Sequence, residues 1–244
     1  MTITAGQAAA GRLLLIERRI HEACSLYGRQ ANSVELVAVS KQQVPSSIRT
    51  VYESGQLSFG ENYVQEFVSK QAELSDLAEI RWHFIGHLQS NKAKSIVGRC
   101  KLIQSIDSER IAGKIDGIAA RLEIRQDILV EVNIGNEPAK SGVPFASAID
   151  LCEKIRSLKY IKLIGLMGIA PSESRNSGIA ARESFGKLKS LFDQLPDANR
   201  ITLSMGMSGD FVEAIAEGST MVRVGTAIFG QRSHQEDQST RLLD

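Results

Sequence analysis

Lys41 follows directly on the run Leu36-Val37-Ala38-Val39-Ser40. Four consecutive apolar residues suit a strand buried on both faces. A lysine at the end of such a strand has two readings. Its stem can lie along apolar surface while the ammonium reaches water. Partly desolvated, it instead gives up its proton more readily and becomes a nucleophile able to form a Schiff base. A second feature is the segment SMGMSGD at 204–210, with VRVGTAIFG at 222–230 behind it. Ser208 reads as a helix N-cap, and Gly209 lets a bulky anion approach the backbone. Free N–H groups at a helix start attract phosphate, and Gly225 and Thr226 add another glycine and a hydroxyl. The plainer reading is two glycine turns with a capping serine. Third, Arg223 sits among Met221, Val222 and Val224. A guanidinium in a buried strand needs a partner. That partner is either a carboxylate, with Glu131 and Asp210 as candidates, or a ligand heteroatom.

Other patterns weaken on inspection. His83 and His87 have metal-ligand spacing only on a helix, and here they fall on a strand and its turn. Gly206-Met207-Ser208-Gly209 lacks the glycine two residues past the serine that a nucleophile elbow needs. Lys92 and Lys94 in HLQSNKAK read as the solvated face of a helix. No metal site is expected.

The elements that must position these residues alternate. Apolar residues at Leu13, Leu14, Ile16, Ile20, Ala23 and Leu26 predict a leading helix ending at Gly28. Strands are then expected over 35–41, 56–62, 81–87, 101–107, 127–135, 161–170, 200–206 and 220–230. Helices are expected over 45–54, 63–74, 88–97, 108–122, 144–158, 178–194 and 209–216, between the strands. Strict alternation means parallel strands and right-handed crossovers. Eight such units in 244 residues predict a single α/β domain, a (β/α)8 TIM barrel with an extra N-terminal helix, over 1–230, and a polar tail over 231–244. In such barrels the chemistry lies at the carboxyl ends of the strands, and phosphate commonly binds in the loops after the seventh and eighth. Lys41, Glu61, Asn62, Asn133, Met167, Ser208, Gly209, Arg223, Gly225 and Thr226 all fall near those ends. A lysine for an aldehyde, a cup for a phosphate and an inward arginine for a ring nitrogen together suggest pyridoxal 5′-phosphate.

Composition excludes other classes. Lys plus Arg number 29 against 28 Asp plus Glu, which gives no reason to expect a nucleic-acid or membrane partner. Aromatics are 5%, too few for base-stacking platforms. The stretch Leu13–Ile16 is short and runs at once into Glu17, Arg18 and Arg19, unlike a signal peptide. Cys24, Cys100 and Cys152 are odd in number and far apart, which predicts reduced thiols and a cytoplasmic location.

The segments AVSKQQ at 38–43, FGENYVQEF at 59–67, WHFIGHLQSNKAK at 82–94, GLMGIAP at 165–171 and 203–230 carry a resemblance. Across roughly residues 10–232 the chain resembles the YggS/PROSC family of pyridoxal phosphate homeostasis proteins. More distantly it is similar to the N-terminal domain of alanine racemase. The resemblance implies a cofactor held as a Schiff base on Lys41. It places the phosphate at Ser208, Gly209, Gly225 and Thr226, the ring nitrogen at Arg223, and Asn62 beside the ring. It also implies a carrier or buffer of the cofactor, with no established enzyme activity and with cofactor-requiring apo-enzymes as possible partners. The association state is expected to be a monomer or weak dimer. The segment 172–179 is less family-like. The alternative is an amino-acid racemase, which in this fold takes a tyrosine base from an appended β-domain. No such domain is expected here, and of Tyr27, Tyr52, Tyr63 and Tyr160 only Tyr63 falls near the expected rim.

Overall fold

The structure, a computed structural model, describes residues 5–171 and 177–230. The polar tail over 231–244 and residues 172–176 of the less family-like segment lie outside them. Helix α1 (Ala5–Leu26) precedes β1 (Glu35–Val39), α2 (Pro45–Glu53), β2 (Ser58–Glu61), α3 (Val64–Glu73), β3 (Arg81–Phe84) and β4 (Leu102–Ile106). There follow α4 (Glu109–Arg121), β5 (Gln126–Asn133), β6 (Val143–Pro144), α5 (Ala148–Arg156), β7 (Ile161–Gly168) and α6 (Gly178–Phe192). The last elements are β8 (Thr202–Ser204), α7 (Phe211–Ala216), β9 (Met221–Val224) and α8 (Thr226–Phe229). Eight strands close a ring in the order β1-β2-β3-β4-β5-β7-β8-β9, every pair parallel. The two-residue β6 pairs with Val132 and Asn133 of β5 and stands outside the ring. The architecture is the expected (β/α)8 barrel with a leading helix.

Alternation along the strands divides the core in two. Val37, Leu102, Leu129, Ile164, Met167 and Met221 meet inside the ring. Their neighbours Ala38, Ile103, Ile128, Leu163 and Val222 face the helices instead. Helix α4 shows how the outer layer is made: Ile111, Ala112, Ile115, Ile118 and Ala119 are buried, which is one stripe of a 3.6-residue period. Between β2, β3 and α3 an aromatic group forms, with Phe67 edge-on to Trp82 at 6.0 Å and to Phe84 at 6.3 Å.

Some expectations need correction. The segment 88–97 is not an α-helix. Its bonds from Lys92, Ser95 and Ile96 all reach back three residues, and only Ala93–Ser95 forms a 3-10 turn. The expected strand over 220–230 stops at Val224, and the chain then turns into α8. The helix expected over 144–158 opens with a 3-10 turn, Phe145–Ser147, and is α-helical over Ala148–Arg156. Helix α1 fastens the far side. Arg12 Nε donates to Ile228 O at 2.6 Å at the end of α8, and the Arg19 guanidinium lies 4.8 Å from the Phe211 ring of α7. Among the described residues no helix is long and apolar enough to cross a membrane.

Candidate functional site

A cavity of about 380 Å³ opens at the carboxyl-terminal mouth of the ring. Lys41, Asn62, Ser208, Gly209, Arg223, Gly225 and Thr226 all line it. The sequence reading had not singled out Val39, Gln43, Ile85, Ile169 and Met207, which supply its apolar and polar remainder. Asn133 lies elsewhere: its side-chain amide holds the next loop, donating to Glu137 O at 2.8 Å and accepting from Glu137 N at 3.0 Å. Met167 is packed inside the ring.

Lys41 stands just past β1, and both of its neighbours are tied down. The Ser40 carbonyl accepts from Lys70 Nζ at 2.7 Å, and the Ser40 hydroxyl donates to Glu61 Oε1 at 2.6 Å. Gln42, at φ 59°, donates its N–H to Glu66 Oε2 at 2.7 Å. Lys70 Nζ binds Glu61 Oε1 at 2.8 Å and Glu66 Oε2 at 2.7 Å, so one buried ammonium links both anchors. Burial pushes the Glu61 carboxyl above its usual range, and the Lys70 charge opposes that push. Asn62 follows Glu61 in chain. Its backbone is crossed closely by Gly86, where a Cβ would lie 2.0 Å from Asn62 O, so only glycine fits at 86. The Asn62 Oδ1 atom is buried without a hydrogen-bond partner.

Ser208 is not the cap of α7. That position belongs to Asp210, whose Oδ1 accepts the Met207 N–H at 2.6 Å and closes the turn. The turn needs Gly206, at φ 93°, where a Cβ would meet Phe211 Cα at 2.9 Å. Relieved of capping, Ser208 Oγ faces the start of α8. It lies 3.3 Å from Gly225 N, 3.4 Å from Ala227 N and 3.1 Å from Thr226 Oγ1. Three donors therefore converge on one oxygen beside the cavity. At Gly209 a Cβ would meet no atom within 4 Å, so neither packing nor φ demands the glycine.

Arg223 rises from inside the ring to the cavity floor. Its hydrogen bonds go to uncharged atoms: Nη1 to Ser204 Oγ at 2.6 Å and Nη2 to Gly168 O at 3.0 Å. Of the partners left open for it, neither Glu131 nor Asp210 forms an ion pair with it; a hydroxyl and a carbonyl take that place. Burial lowers the guanidinium to about 10, and the charges of Glu131 and Asp210 pull it back up. It remains protonated at neutral pH. Glu131 is itself pushed up to about 7 by burial and by Asp107, against the pull of Arg223.

His83 is wholly buried inside the ring, and His87 is on the surface, 3.4 Å from Asp107 Oδ2. Among the described residues no group of three His, Cys, Asp or Glu could hold a metal ion. Sequence reasoning missed the Lys70 cluster and the polar residues Gln104 and Ser204. For Gln104 and Ser204 the available signal was polarity itself, since each is a polar residue in a strand that must be buried; Lys70, in the polar helix VQEFVSKQAE, gave no such signal.

Residues 16–233 match the family described as alanine racemase, N-terminal domain. The chain is 42% identical over 229 residues to the pyridoxal phosphate homeostasis protein of Aquifex aeolicus, covering 93% of this chain and 99% of that protein. Among solved structures, PipY of Synechococcus elongatus with PLP bound is 38% identical at a TM-score of 0.73, covering 86% of this chain and 100% of that one. A Bifidobacterium adolescentis protein described as unknown superposes at a TM-score of 0.87 with 35% identity, over 93% and 97% of the two chains.

Proposed function

We propose that this chain, which belongs to the family of pyridoxal phosphate homeostasis proteins and carries the alanine racemase N-terminal fold, holds pyridoxal 5′-phosphate at the mouth of its barrel as a carrier. The observation behind this reading is the meeting of an amine, a cluster of anion donors and a buried guanidinium around one cavity. Its volume of about 380 Å³ lies within the range of small-molecule sites. The donor set fits the cofactor. Asn62 Oδ1 is buried with nothing to bind, and the space over Gly209 is left open by the chain.

Bound there, the cofactor would supply a reactive aldehyde, and Lys41 is the amine that would hold it. The hydroxyls of Ser208 and Thr226 and the N–H groups of Gly209 and Gly225 meet its phosphate. Arg223 donates to the ring nitrogen without giving up its proton, because a guanidinium stays charged. Asn62 lies against the ring. Turnover is poorly supported by the same residues. No tyrosine or histidine is among the described residues lining the cavity, and Asp210 is engaged by Met207 N–H. A racemase would need a second base opposite Lys41. Three buried unpaired thiols, Cys24, Cys100 and Cys152, suit a reducing cytoplasm, where cofactor-requiring apo-enzymes would receive the cargo.

The test is to load the purified protein with pyridoxal phosphate, reduce with borohydride and map the labelled peptide by mass. The label is expected on Lys41. Label found mainly on Lys92, Lys94 or Lys140 would remove the cofactor from this cavity.

A further inference from the structure

A line of buried polar side chains runs through the interior of the barrel from Arg223 toward the opposite end. Ser204 Oγ accepts from Arg223 Nη1 at 2.6 Å and stands 2.7 Å from Gln104 Oε1. Gln104 Nε2 lies 3.0 Å from His83 Nδ1 and 3.2 Å from Met221 Sδ. His83 Nε2 makes no hydrogen bond and faces Glu35 Oε1 at 3.7 Å, and Glu35 opens β1 at the amino-terminal end of the ring. Ser58 Oγ holds that same carboxylate oxygen at 2.6 Å. Ser204, Gln104 and His83 are all fully buried, in a space where apolar side chains would otherwise pack.

The polarity of the line is set by Arg223 at one end and by the Gln104 amide, whose Oε1 faces Ser204. A guanidinium only donates, so Ser204 must accept from it and pass its own proton to Gln104 Oε1. The Gln104 amide then presents its two N–H groups to His83 Nδ1 and to the Met221 sulfur. His83 Nδ1 must accept, which leaves the imidazole neutral with its proton on Nε2, directed to Glu35. Every dipole points the same way, from a cation toward a carboxylate. Such aligned chains polarise one another in a low dielectric.

We propose that Ser204, Gln104 and His83 are positioning residues that hold Arg223 in one orientation toward the cofactor's ring nitrogen. They act through Arg223 and touch no ligand. The inference rests on the reading that pyridoxal phosphate occupies the mouth cavity with its ring nitrogen at Arg223. A lone arginine could rotate away from the ring; one whose Nη1 and Nη2 are both engaged, one of them by a chain of buried side chains that runs on to His83, cannot do so without breaking that chain.

The test uses the loaded protein and pyridoxal phosphate labelled with ¹⁵N in its ring. Ser204→Ala and Gln104→Met are each expected to move the ring-nitrogen signal. Ser204→Ala should also speed cofactor release roughly tenfold, the scale of one hydrogen bond to a charged group. Borohydride should still place the label on Lys41 in both variants. In the wild-type protein, ¹⁵N-histidine spectra should show His83 protonated on Nε2 alone, a readout that needs no variant to fold. A His83 proton on Nδ1, or an imidazolium, overturns the line. So does an unchanged ring signal and release rate in both variants. Failure of wild-type Lys41 to take the label would instead bring down the reading of the cavity, and this proposal with it.

Discussion

At the cavity wall, the donors of Ser208 and Thr226 are coupled before any ligand arrives, since their hydroxyl oxygens lie 3.1 Å apart. Ser208→Ala and Thr226→Val should therefore not act additively. Each hydroxyl is worth roughly 1.5–3 kcal/mol to a charged oxygen. The double variant is expected to lose roughly 10- to 100-fold in affinity for pyridoxal phosphate, because the N–H groups of Gly209 and Gly225 survive. Equilibrium dialysis would measure this, and binding as tight as wild type would place the phosphate elsewhere. The two hydroxyls were legible because they stand beside glycines at the ends of apolar runs. The detail was not. Ser208 and Asp210 are both good caps two residues apart, and local pattern cannot choose between them. The choice came from tertiary structure: Asp210 closes the turn on Met207, leaving the serine to face α8. Arg223 shows the same limit, since a buried guanidinium advertises its need for a partner and not whether that partner is charged.

Elements carry the lysine. The end of β1 is held by β2 and α3 through Lys70, whose side chain is 6% exposed and whose ammonium bridges Glu61, Glu66 and the Ser40 carbonyl. Removing one member of a buried ion cluster leaves an uncompensated charge, at a cost of about 3–5 kcal/mol. Lys70→Met should cost that much in a urea unfolding series and should loosen the Lys41 loop enough to weaken cofactor binding. The double variant Lys70→Met, Glu61→Gln should recover much of the stability, because it no longer strands the buried Glu61 carboxylate and leaves only the partly exposed Glu66 unpaired. A single variant within 1 kcal/mol of wild type, on the ~1 kcal/mol scale of an exposed pair, would deny the cluster this role. The strands and most helices were readable because burial imposes their periods. The segment 88–97 was not, since Leu88, Ala93, Ile96 and Val97 are buried at spacings an α-helix also satisfies. Here the chain tightens into turns whose bonds reach back three residues from Lys92, Ser95 and Ile96, with a single four-residue bond from Val97 to Ala93. Lys70 looked like one more solvated helix charge until the fold laid α3 over Glu61.

Across the whole molecule, the closed ring does two separate things. It packs its interior and carries a cavity at its carboxyl-terminal mouth, with α1 bracing α7 and α8, whose flanks line that mouth. A barrel of this kind can serve a racemase as well as a carrier, so fold does not decide activity. The mouth does. Arg223 reaches it still protonated, and a group that donates without surrendering its proton leaves a ring nitrogen unprotonated. An unprotonated ring is a weak electron sink for a carbanion at an amino acid's α-carbon. Among the described lining residues, Asp210 is tied to its own turn and no histidine or tyrosine stands across from Lys41. Both deficits oppose proton removal and return on opposite faces of a substrate, while neither hinders holding an aldehyde. Loaded protein incubated with L-alanine in heavy water should exchange the α-proton slowly and accumulate D-alanine far below ~1 s⁻¹, the low end of ordinary enzyme turnover. Mass spectrometry would follow the deuterium, and chiral chromatography the product. Racemisation at ~1 s⁻¹ or above would mean that a second base reaches the site and that the cavity spends the cofactor's reactivity instead of storing it.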